Sequence, residues 1–188
     1  MSEELEILKL VCGCLEEAGM PYMVTGSIAA NFYTVPRMTR DIDIVVELRE
    51  GDVGRLVEIF RDDFYIDPQA VSRAVSRRGI FNIIHNESVF KIDFIVRKDT
   101  DYRVNAFKRR QAFNVDDLKI YIISAEDLIL SKLVWAKESL SELQLKDIKN
   151  LIGTVEDINT EYICKWVGRL GVEDLYNKLK YRGKAKDE

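Results

Sequence analysis

Apolar and polar positions along the chain follow two different periods. Glu3 to Ala18 sets Leu5, Leu8, Val11, Cys12 and Leu15 on one side, which predicts a helix. Acids in its first turn suit the helix dipole, and Gly19 with Pro21 ends it. Tyr22 to Val24 is an apolar run that meets Gly26-Ser27, and Ile28 to Tyr33 reads as a short helix. Asp41 to Val46 (D-I-D-I-V-V) has the period of a strand, so Asp41 and Asp43 share one face while Ile42 and Ile44 take the other.

Asp52 to Asp63 is a second amphipathic helix with Val53, Leu56, Val57 and Phe60 facing inward. Asp67-Pro68 marks a turn, and Val71 to Ser76 is a short helix or a basic loop. Gly79 to His85 and Val89 to Val96 flank Asn86-Glu87-Ser88 as a hairpin, with Asp93 inside its second strand. Phe107 to Val115 and Lys119 to Ser124 are extended runs around Asp116-Asp117. From Ser124 the period becomes helical. Ser124-x-x-Asp127 and Ser141-x-x-Gln144 are capping-box patterns opening two helices, in the second of which Leu143, Ile148 and Leu151 face the core. Asn159 to Leu170 and Val172 to Tyr181 follow. The chain is therefore expected to be an α/β (α+β) core over residues 1–123 with a helical part over 124–188 packed on it.

Composition narrows the functions open to such a chain. Its 188 residues suffice for a core that needs no disulfide or structural metal. No apolar run approaches the roughly 20 residues that would span a bilayer, so no membrane association is expected. The acidic start M-S-E-E-L-E is unlike a signal peptide, so a cytoplasmic location is expected. The 3 cysteines (Cys12, Cys14, Cys164) have no zinc spacing, and the 1 histidine, His85, excludes a histidine metal cluster and argues against a Ser-His-Asp triad. The net charge of −4 offers no global attraction to nucleic acid. Basic residues nonetheless cluster at Arg73, Arg77 and Arg78, between Arg97 and Arg110, and between Lys178 and Lys186. Such runs are either solvated faces or grips for an RNA backbone or a nucleotide's phosphates.

The candidate chemistry lies between Tyr22 and Asp93. Carboxylates two apart are common in a chain with 32 Asp+Glu; Glu4/Glu6, Glu50/Asp52 and Asp99/Asp101 are others. Asp41 and Asp43 differ in sitting about 7 Å apart in a β-branched strand, where charge without a partner is costly. They either hold a cation or form an exposed strand start paired with Arg37 or Arg40. Asp93, inside a second apolar strand, adds the third carboxylate that divalent-metal phosphoryl chemistry requires. Gly26 allows close backbone approach to a phosphate, and Ser27 adds a hydroxyl at the start of a helix. Thr39 and Arg40 are placed either to reach phosphate or to brace the acids. Lys132 falls in an apolar stretch, where it either turns inward and needs a partner, which an anionic phosphate would supply, or snorkels outward.

Gly26-Ser27, Asp41-x-Asp43 and Asp93 together resemble the DNA polymerase β-like nucleotidyltransferase superfamily. R-x-T-R-D-I-D-I (Arg37 to Ile44), S-A-E-D-L-I-L-S-K-L (Ser124 to Leu133) and K-D-I-K-N-L (Lys146 to Leu151) are similar to its small prokaryotic branch of AbiEii-like toxins. The resemblance implies a nucleotidyltransferase fold, a mixed central sheet flanked by helices with C-terminal helices added. It implies Mg²⁺, two ions, with Mn²⁺ as a substitute, on Asp41, Asp43 and Asp93. It implies NTP binding by Gly26, Ser27, Thr39, Arg40, Lys132 and Asp147, with Lys132 and the three acids catalytic. The expected reaction moves a nucleoside monophosphate from an NTP to an acceptor hydroxyl, with pyrophosphate leaving. The basic segments favour RNA as acceptor, and the branch implies a protein partner of antitoxin type. Two rival classes are a non-catalytic regulatory protein of the same fold and a metal-dependent phosphohydrolase. Crowded carboxylates speak against the first; the Gly-Ser turn and absent histidine cluster speak against the second.

Overall fold

A computed structural model describes residues 2–39, 41–88, 90–139 and 141–183. The chain divides into two compact units, one of residues 1–28 and 38–123, the other of residues 29–37 and 124–188.

The first unit is built on a mixed seven-stranded sheet. Its strands are β1 (Tyr22–Thr25), β2 (Asp41–Val46), β3 (Phe64–Ile66), β4 (Ile80–His85), β5 (Lys91–Val96), β6 (Gln111–Val115) and β7 (Leu118–Ile122). They lie in the order β3-β4-β5-β2-β1-β7-β6. β2 runs parallel to β5 and β1 parallel to β7, and the other pairs are antiparallel. Helices α1 (Glu3–Glu17), α3 (Val53–Phe60), α4 (Pro68–Arg77) and α5 (Asp101–Lys108) complete the unit. The alternation in β2 and β5 sends Ile42, Ile44, Val46, Ile92, Phe94 and Val96 to one fully buried face. Phe60 of α3 packs there, its ring 5.7 Å from Phe94 and 5.5 Å from Phe64. α1 buries Ile7, Leu8, Val11, Cys12 and Leu15, and burial pushes the Cys12 thiol up to about 12, which makes it an inert core residue.

The second unit is helical. It takes the end of α2 (Gly26–Asn31), which bridges the division, and α6 (Ala125–Ser139), α7 (Glu142–Thr154), α8 (Thr160–Leu170) and α9 (Glu173–Gly183). Leu128, Ile129, Leu133, Ile148, Leu151, Ile163, Val167 and Leu179 are among its buried apolar residues. Among the described residues no helix is long and apolar enough to cross a membrane.

Several local expectations need correction. Residues 101–108 form α5, capped by Thr100, so Phe107 closes a helix and does not open a strand. Asp67-Pro68 is a helix start: Asp67 accepts a hydrogen bond from the Gln69 amide at 2.8 Å, and α4 runs on to Arg77. Within α3, Leu56 and Phe60 are buried while Val53 and Val57 are half-buried. Ser124 and Asp127 do form their cap, with the Asp127 amide donating to Ser124 Oγ at 3.2 Å. Ser141 makes no side-chain cap, the Gln144 side chain accepts from Lys132, and Leu143 points to solvent. Val89 lies outside the described residues, and β5 begins at Lys91.

Candidate active site

The carboxylates occupy the sheet face opposite the apolar one. Parallel pairing sets Asp41 beside Lys91 and Asp43 beside Asp93. Directly paired residues share a face, so the second row extends across four strands as Thr25, Asp43, Asp93 and Asn82. Asp41 is exposed, Asp43 and Asp93 are half-buried, and Thr25 is buried. The three acids are thus brought together by neighbouring strands.

Lys91, which sequence reasoning passed over, sits among them. Its ammonium donates to Asp93 Oδ2 at 2.8 Å and lies 3.6 Å from Asp41 Oδ1. The bond to Asp93, aided by Asp41, holds the Lys91 ammonium above the ordinary lysine range against the opposing effect of burial. The signal for it was present, since Lys91 precedes Asp93 by one strand period and must share its face.

Gly26 closes this site from the side of β1. It has φ +69°, and a Cβ there would overlap Asp43 Oδ2 and lie 2.8 Å from Asp43 Cγ. The backbone at the β1–α2 junction is therefore pressed against the Asp43 carboxylate, which any L side chain would displace. Ser27 follows within α2. Thr39 donates to the Asp41 carbonyl at 3.4 Å, a local strand-entry contact. Arg40 lies outside the described residues.

Among the described residues no three His, Cys, Asp or Glu side chains form a ready-made metal cage. The donor set nevertheless suits a hard cation. Asp41, Asp43 and Asp93 offer only carboxylate oxygens, and the Lys91 ammonium already stands as a cation between two of them. Mg²⁺ needs few protein ligands when substrate phosphates and water supply the rest.

A second polar cluster lies in the helical unit. Lys132 is 4% exposed and Asp147 5%, so the inward reading of Lys132 is the one observed. Its ammonium donates to Asp147 Oδ2 at 2.8 Å and to Gln144 Oε1 at 2.9 Å. Arg37 forks onto the same carboxylate, with Nη2 3.1 Å from Oδ2 and Nε 3.4 Å from Oδ1. Burial alone would raise Asp147, but the hydrogen bonds from Arg37 and Lys132 outweigh it and hold the carboxyl below its usual value. Arg37 therefore pairs with Asp147, a contact hidden from the sequence because the two lie 110 residues apart.

Part of the basic charge is consumed internally. Arg97 is buried, donating to Glu47 at 2.9 Å and Asp99 at 3.0 Å, and Arg78 reaches Asp99 at 2.7 Å. Arg110 lies 4.5 Å over the Phe107 ring. These are packing and pairing roles within the first unit.

No protein-family model matches the chain, and no curated sequence matches it significantly. Solved structures do. The antibiotic-resistance factor ANT(2'')-Ia aligns over 94% of this chain and 94% of its own, with a TM-score of 0.56 at 14% identity. The lincosamide antibiotic adenylyltransferase LnuA, in its lincomycin-bound form, aligns over 82% of this chain and 99% of its own, at 0.55 and 19%. The chain has the nucleotidyltransferase fold. An antigenic nucleotidyltransferase-like protein from Paracoccidioides brasiliensis shares that fold over 95% of this chain and 93% of its own, at 0.54 and 18%. The AbiEii-like branch is not among these relatives. In the nucleotidyltransferase fold found here, the seven-stranded mixed sheet carries its carboxylates on the face away from α3.

Proposed function

We propose that the protein is a metal-dependent nucleotidyltransferase that passes a nucleoside monophosphate from an NTP to an acceptor hydroxyl. The observation that carries this reading is the parallel register of β2 and β5, which sets Asp43 directly beside Asp93 with Asp41 on the same face. A fold used only as a scaffold gains nothing from three like charges on adjacent strands, which repel one another.

Asp41, Asp43 and Asp93 would hold Mg²⁺, or Mn²⁺ in its place. The bound metal supplies charge neutralisation for the triphosphate and for the oxygens of the displacement. Asp93, half-buried at the centre of the row, accepts the proton of the attacking hydroxyl on a carboxylate oxygen. Gly26 keeps the backbone clear of bulk beside Asp43, and Ser27 offers a hydroxyl to phosphate. Lys132 meets negative charge developing on the pyrophosphate, and Asp147 contributes by holding Lys132. The resemblance of residues 37–44, 124–133 and 146–151 to the AbiEii-like branch supports a place near those toxins, with an antitoxin-type partner. The acceptor is a hydroxyl of RNA or of a small molecule. Arg77 and Lys98 remain exposed as contacts for an RNA backbone.

Titration calorimetry with each of the four ribonucleoside triphosphates, with and without Mg²⁺, tests the reading. One triphosphate is expected to bind in a metal-dependent way, and Asp43→Asn is expected to abolish that binding while keeping the native circular dichroism spectrum. A protein that binds none of the four at millimolar concentration is not the enzyme described here.

A further inference from the structure

We infer that Arg37 is a positioning residue that sets, through Asp147, how strongly Lys132 attracts phosphate. The inference rests on the nucleotidyltransferase reading and adds to it a residue and a means of tuning. Three features carry it. Arg37 is itself held in place: the Asn31 amide donates to the Arg37 carbonyl at 2.9 Å, and the Arg37 amide donates to Asn31 Oδ1 at 3.0 Å. Its guanidinium engages both oxygens of Asp147, which fixes the plane of that carboxylate. The oxygen nearer Arg37 Nη2 is the one that also accepts from Lys132 Nζ.

One carboxylate oxygen is thus shared by two cations, and each loosens the other's hold on it. Lys132 is 4% exposed, where the local dielectric is low and charge sharing has its largest effect, whereas Arg37 is 33% exposed. Without Arg37, the full charge of Asp147 falls on Lys132, whose attraction for an incoming phosphate drops. Without the charge of Asp147, both cations are released toward an anion, and attraction rises. The two changes are expected to have opposite signs. A role confined to holding the helices together would instead make both substitutions harmful in the same direction.

The test uses inorganic triphosphate and the cognate NTP with Mg²⁺ as probes, on the full chain. Arg37→Gln is expected to weaken binding of both about tenfold, and Asp147→Asn to tighten it about threefold or more. The double variant Arg37→Gln/Asp147→Asn returns to within about threefold of the parent, and Arg37→Lys, which keeps the charge, stays closer to the parent than Arg37→Gln. Should Asp147→Asn fail to fold with its two cations unopposed, Arg37→Gln against the double variant decides the same question. Affinities that move the same way in Arg37→Gln and Asp147→Asn, or that ignore Arg37→Gln, overturn the inference and leave the enzyme reading intact. A parent protein blind to every triphosphate overturns both.

Discussion

At Gly26 the absence of a Cβ leaves room for the Asp43 carboxylate. The glycine's φ of +69° is unfavourable for any L side chain, and the space where a Cβ would stand is filled by Asp43. Gly26→Ala is expected to cost about 2–4 kcal/mol, roughly 1–2 of it backbone strain and the rest overlap. Urea denaturation measures that loss. At low temperature, where the variant is still folded, triphosphate binding should also fall at least about tenfold, because Asp43 has been pushed from its place. An alanine variant of parental stability and affinity would show that the close approach is unimportant. Several of these positions were legible beforehand. Asp41, Asp43 and Asp93 announce themselves as charges inside β-branched strands, and Lys132 as a charge inside an apolar helix. Lys91 shares the face of Asp93 by strand period alone, whereas the partner of Arg37 lies 110 residues away and leaves no local mark.

For whole elements, the reading succeeded where period and burial agree and failed where they do not. β2 and β5 alternate over residues 41–44 and 91–94, where one face is buried under Phe60 and its neighbours and the other carries charge. α5 was missed because its sequence, D-Y-R-V-N-A-F-K, has little amphipathic contrast and buries only Tyr102, Ala106 and Phe107. β3 is 3 residues long, too short for any period to show. α4 was only half legible: Val71 to Ser76 reads as a short helix or a basic loop, and Asp67-Pro68 as a turn. Asp67 supplies the side-chain cap and Pro68 the first helical position, an arrangement that could have been read as a helix start. Asp67→Ala is expected to destabilise the first unit by about 1 kcal/mol. That corresponds to a urea midpoint lower by about 0.5 M. Asp67→Ser, which retains a capping oxygen, should recover most of the shift. Equal losses in both variants would assign the effect to the ion pair with Arg73, 3.7 Å away, and not to the cap.

For the molecule as a whole, binding and stability are linked. A ligand that selects the folded chain stabilises it by about 2.7 kcal/mol at a hundredfold excess over its dissociation constant. For a chain of this length that predicts a melting temperature about 5–10 °C higher with cognate triphosphate and Mg²⁺. Differential scanning calorimetry reads the shift directly. Asp43→Asn should show none of it, while a shift that survives in Asp43→Asn would place triphosphate binding away from the three carboxylates.

The sequence by itself determined the classes of element and the identity of the three carboxylates. Backbone period and the cost of buried charge act over a few residues and leave their mark on the local pattern. It also carried enough spelling to suggest the nucleotidyltransferase fold. Only the tertiary structure decided that β2 lies between β1 and β5, that its pairing with β5 is parallel, and that Asp43 therefore faces Asp93 and not some other residue of that strand. It alone brought Lys91 between two acids, pressed Gly26 against Asp43, and joined Arg37 to Asp147. Register and partner choice depend on closing long loops and burying one face against distant helices, and a local pattern holds no record of which distant segment will do so.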